Sequence, residues 1–211
     1  MADAERIPIP VGTGTVAGIA AWLVGYGGTY LLVGGVLRAE FRALGLETLV
    51  DAAGRPTLVG WLFFNAHGVE VHSEGLEVAL APGNGNFVAA GVGNQVVLYL
   101  LVPLVLLVAG AVVVRRYRTR LPTRTDAALA GATVAVGYLL CTVVALVAFA
   151  ASLDGAVVRP DPLYGVVLAG LASPIAFGAV GGLLAAGVTR GSGSNRDTGR
   201  NATGSSDDRV R

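Results

Sequence analysis

The chain has 211 residues, 54% of them hydrophobic and only 14% charged. A soluble domain carries about 25% charged residues, so this stock cannot cover a water-facing surface, and it equally excludes disorder over the whole chain. All fifteen basic residues are Arg, balanced by fourteen Asp and Glu to a net charge of +1; this near-balance argues against nucleic acid as a partner, since phosphate binding needs a concentrated basic face, and a single Cys excludes an internal disulfide and a Cys-cluster metal site.

An integral membrane protein remains, and charge-free stretches locate its spans. Residues 1–10 set Asp3 and Glu5 against Arg6, so they lack the positive leader of a cleavable signal. The first span, residues 11–37, therefore reads as a retained helix. Three more stretches, residues 87–114, 127–153 and 163–188, are also free of charge. Each exceeds the roughly 20 helical residues that cross a bilayer, and none alternates in polarity as a barrel strand would. Gly83, Gly85, Gly91 and Gly93 disfavour a helix before Asn94, so the second span runs over 94–114. Thr125 or Asp126 is placed to cap the third, and Asp161 followed by Pro162 caps the fourth. Pro103 and Pro174 each remove a backbone donor and should kink the second and fourth helices.

Between the first two spans lies a loop, residues 38–86, expected to be partly ordered. It contains the apolar run 58–69, whose length suits an interfacial, re-entrant or protein-packed segment better than a span. Asn65 and His67 would fall in the middle of a fifth crossing, where polar groups are costly. Trp61, Phe63 and Phe64 anchor the run at the bilayer interface or on the bundle. From Val69 the pattern alternates with period two, which predicts a short strand.

Orientation follows from Arg placement. Arg115, Arg116, Arg118, Arg120 and Arg124 crowd the linker after the second span and should face the cytoplasm. With four spans both termini join them, giving eleven Arg inside and four outside (Arg38, Arg42, Arg55, Arg159). Residues 190–211, poor in apolar residues, read as a disordered cytoplasmic tail. The expected fold is an all-α integral membrane protein, a four-helix bundle over residues 1–189 in the plasma membrane.

The four spans contain no Asp, Glu, Lys, Arg or His. Proton relays and ion-coupled pumps place such groups at depth, and no nucleophile or phosphate-loop signature appears. We expect no enzyme and no cofactor. Gly14 with Gly18, and Gly178 with Gly182, form small-residue rows that let helix backbones approach, either within the bundle or at a dimer face. Cys141 reads as a small hydrophobe. The polar constellation lies in the loop: Glu70, His72 and Glu74 share one face of the expected strand, with His67 nearby. Carboxylates and imidazole suit Zn²⁺ or Mn²⁺; the alternative is a solvated polar face on a small hairpin.

The sequence Ile7-Pro8 before a Gly-rich first helix ending in Tyr30, the segment Phe64-Asn65-Ala66-His67, and the absence of Lys resemble an uncharacterised haloarchaeal family of about four predicted helices. Its members are sometimes labelled transporter. The resemblance implies a halophile plasma membrane and brings no catalytic residue. Two functions compete: a non-enzymatic membrane module that binds lipid, another membrane protein or itself, and a small-solute or ion transporter or channel.

Overall fold

The computed structural model describes residues 10–74, 85–121, 123–153 and 155–191. Four of its helices are long and apolar enough to cross a membrane: Val11–Val33, Gln95–Tyr117, Arg124–Ala148 and Pro162–Gly187. We label the helices α1 (Val11–Val33), α2 (Leu37–Ala43), α3 (Glu47–Ala52), α4 (Arg55–Asn65), α5 (Gln95–Tyr117), α6 (Arg124–Ala132), α7 (Val134–Ala148), α8 (Pro162–Tyr164) and α9 (Ser173–Gly191). A π-wound segment, Gly165–Ala172, joins α8 to α9. The leader before Pro10 and the tail after Gly191 lie outside the described residues.

The expectation of an all-α chain is corrected by a small antiparallel sheet of order β1-β3-β2, with strands β1 (Val71–Glu74), β2 (Ala151–Leu153) and β3 (Ala156–Pro160). The third span accordingly ends at Ala148, five residues earlier than the charge-free stretch. Gly155, at φ +84, takes the left-handed turn that folds β2 onto β3, a backbone state open to glycine. The strand foreseen after Val69 exists, and among the described residues it pairs with β3, with Val71 opposite Pro160 and Glu74 opposite Val157. The sheet caps one end of the bundle, called here the sheet end. The opposite end carries the linker arginines.

Caps explain where the helices begin. Asn94 Oδ1 accepts from Val97 N at 3.2 Å, and Gly91 and Gly93 hold positive φ just before it, so α5 starts at Gln95. The third long helix is capped at Thr123, two residues before Thr125, and Asp126 completes the cap from inside the helix. Thr123 and Asp126 form a capping box, with Asp126 N donating to Thr123 Oγ1 at 3.1 Å and Thr123 N to Asp126 Oδ2 at 3.0 Å. Asp161 Oδ1 accepts from Tyr164 N at 2.8 Å, as its position before Pro162 foretold. Pro103 lies inside α5. Pro174 is the second residue of α9, directly after the π-wound segment. Its missing N–H and its ring oppose regular i to i−4 bonding there, and a wider turn is how a helix absorbs such a residue.

Packing brings α1 against α7 and α5, and α9 against α5 and α6. The two glycine rows sit at these contacts. A Cβ on Gly14 would run into the Thr133 side chain, and one on Gly18 into the Val134 carbonyl oxygen. On the other helix, a Cβ on Gly178 would meet the Gly131 carbonyl at 2.6 Å, and one on Gly182 the Ala127 carbonyl. Both rows thus face helices of the same chain.

Candidate functional site

The run 58–69 is helical over most of its length and is packed against protein, one of the three placements its length allowed. Every residue of α4 from Leu58 to Asn65 is buried. Eight consecutive buried positions cover all faces of a helix, so α4 has no lipid or water side there. It contacts α1, α2 and β3. Trp61 and Phe63 hold it by distinct means. Trp61 Nε1 donates to the Phe149 carbonyl at 2.7 Å, satisfying a carbonyl that the end of α7 leaves free. Phe63 stacks edge-on to Trp22 of α1, with ring centres 5.3 Å apart. A Cβ on Gly25 of α1 would touch the Phe63 ring at 3.0 Å, so the helix approaches closely only because that position is glycine.

Asn65 ends α4 and fixes the chain's return. Its Nδ2 donates to the carbonyls of Val69 (2.8 Å) and Gly85 (3.0 Å), and its Oδ1 accepts from Phe87 N at 2.9 Å. One buried amide thereby satisfies three backbone groups that would otherwise be stranded.

His67 lies just past the helix, and its imidazole reaches Tyr138. His67 Nδ1 is 2.8 Å from the Phe63 carbonyl, and Nε2 is 2.8 Å from Tyr138 Oη. A carbonyl only accepts, so Nδ1 carries the proton and donates. Nε2 is then bare and accepts from the Tyr138 hydroxyl. Burial pushes the His67 imidazole down to about 4, with the Phe63 hydrogen bond partly offsetting it; the ring is neutral at neutral pH. Tyr138 lies fourteen residues from one end of the span Arg124–Ala148 and ten from the other. A loop histidine is thus held at the middle of the bundle. Thr142 Oγ1 donates to the Tyr138 carbonyl at 2.9 Å, and Phe63 packs edge-on to the imidazole at 4.8 Å.

The expected metal-binding set is divided between two places. His67 faces Tyr138 in the interior, with both ring nitrogens engaged. His72 is at the surface, with Nε2 3.7 Å from Glu70 Oε2 and 3.9 Å from Asp161 Oδ2. Asp161, read from the sequence only as a helix cap, is a second acid beside His72, after Glu70. The Glu74 side chain lies outside the described residues. Among the described residues no three His, Cys, Asp or Glu are grouped to hold a metal ion. Cys141 is half-buried and free.

Sequence reasoning missed the His67–Tyr138 pair because the partners are 71 residues apart. The signal was present in two parts: an imidazole four residues after Phe63 in an aromatic run, and a tyrosine in the interior of a charge-free stretch.

The chain belongs to a family of unknown function, DUF7978, whose model matches residues 2–189. The match takes in all four long helices, α4 and the sheet. No curated protein matches the chain, and no solved structure does.

Proposed function

We propose that the protein is a non-enzymatic integral membrane module: four spans in the plasma membrane, an interior closed by α4, and a lipid-facing flank that receives lipid, another membrane protein or a second copy. The observation that carries this is where apolar and polar groups lie. Leu31 is 86% exposed and Val147 78%, and Val16, Val96, Val144 and Leu163 are each more than 60% exposed. A belt of this kind is costly in water and at home in hydrocarbon. Inside, Thr29, Tyr138 and Thr142 are fully or almost fully buried, and each spends its hydroxyl on a protein partner. Such a seam supports a module over a solute path. The arginine end faces the cytoplasm by charge bias, which sets the sheet and His72 outside. The resemblance of the sequence to a haloarchaeal family makes the host membrane that of a halophile.

The second reading, a small-solute or ion transporter or channel, draws on His67 itself, since an ionisable group at mid-bundle depth is a usual mark of a pathway. Purified protein in sealed vesicles separates the two. A module leaves the vesicles as tight to protons and small ions as protein-free ones. A leak that His67→Phe abolishes would establish the transporter instead.

A further inference from the structure

On the flank, α1 and α5 leave an open groove of about 410 Å³ between them. Its walls include Ala17, Ala21 and Val24 on α1 and Leu104, Val108 and Val112 on α5, and they are apolar throughout. The α5 wall is a stripe at intervals of four. Residues so spaced share a helix face, and the next member after Val112 is Arg116, with Arg115 beside it three residues on. Both arginines are exposed. At the same end Thr13 Oγ1 and Tyr117 Oη are 2.8 Å apart, so two hydroxyls lie where α1 begins and α5 ends. Among the described residues no carboxylate pairs with Arg115 or Arg116. The one described acid at this end, Asp126, is occupied in its capping box with Thr123.

We propose that this groove is a binding site for one anionic phospholipid, its acyl chain along the Leu104–Val108–Val112 stripe and its phosphate headgroup at Arg115 and Arg116, beside the hydroxyls of Thr13 and Tyr117. Guanidinium groups bind phosphate through charge-assisted, bidentate hydrogen bonds, and the length of the apolar wall ahead of them calls for a ligand that is greasy along its body and negative at one end. A second copy fits poorly. Two-fold packing in a membrane would set the same arginines of both copies at one depth, where like charges repel. The proposal rests on the membrane reading above and names the ligand class of its flank.

Full-length protein is incorporated into vesicles of equal phosphatidylglycerol and phosphatidylcholine, extracted in mild detergent, and its retained lipid measured by native mass spectrometry. Phosphatidylglycerol should be enriched at about one per chain. Two charges worth about 1 kcal/mol each near a membrane surface correspond to a fall in enrichment of roughly tenfold or more in the R115Q/R116Q variant, and R115K/R116K should recover part of it. Val108→Trp, which fills the groove and leaves both arginines, should lose the retained lipid as well. Equal retention of the two lipids, retention that survives R115Q/R116Q, or a cross-link between two copies through Cys placed at the exposed Val24 would overturn the lipid site and leave the membrane reading intact. A chain that stays out of the vesicles altogether would overturn both.

Discussion

Leucine at Gly18 or at Gly182 should each destabilise the protein by about 3 kcal/mol or more, while leucine at Gly35 should change stability by about 0.5 kcal/mol or less. The difference lies in what the new side chain meets. At Gly18 the first added carbon already collides with the Val134 carbonyl, and at Gly182 with that of Ala127. Both obstacles are backbone, which cannot swing aside as a side chain can. The helices must separate, forfeiting dispersion contacts along the whole seam, and within a bilayer close packing is a main source of helix association. Gly35 is exposed, and a Cβ there meets nothing within 4 Å. Thermal midpoints in detergent provide the measurement; three equal midpoints would remove glycine from the account of how α1 meets α7 and α9 meets α6.

The second large effect is one of pH. An unfolded histidine titrates near 6.5, while burial holds folded His67 at about 4. The folded value is the lower one, so the unfolded chain binds the proton more readily. Stability is therefore intact above about pH 6.5 and falls as pH drops toward 4, by about 2 kcal/mol at pH 5. Protonation would also place a donor on Nε2 facing the Tyr138 hydroxyl, which must then turn to accept. His67→Gln keeps one donor and one acceptor and has no proton to gain. Its midpoint should drop less than that of the parent between pH 7 and pH 5. Equal slopes for the parent and His67→Gln would show that His67 is open to water.

Much of this architecture was legible in the sequence because four long stretches carry no charge, the pattern that a hydrocarbon surrounding would demand. Residues without charge located α1, α5, the α6–α7 pair and the last helix. Local chemistry then fixed some ends, Asp161-Pro162 and the glycines before Gln95 among them. The sheet was hidden because residues 151–153 continue the charge-free stretch of the helix they follow, and so short a run does not distinguish a strand from a helix's last turn. Helix α4 was ambiguous for a related reason: a short apolar run is compatible with several depths, and its depth is set by contacts with Gly25, Trp22 and Phe149, none of which is near it in sequence. Asn65 shows the same limit. Its value lies in the backbone of residues 69, 85 and 87, and no local pattern announces partners twenty residues away.

The central claim is a four-span module with the arginine end inside and α4 folded in from the sheet end. Accessibility of single cysteines tests it most directly, in a chain where Cys141 is first replaced by Ala. Asp51, exposed in α3, and Thr119, exposed in the 3₁₀ turn Arg118–Arg120, are each changed to Cys and treated in intact cells with a maleimide that does not cross membranes. The account predicts that Cys at position 51 is labelled in intact cells and Cys at position 119 only after lysis; labelling at 119 in intact cells would contradict it.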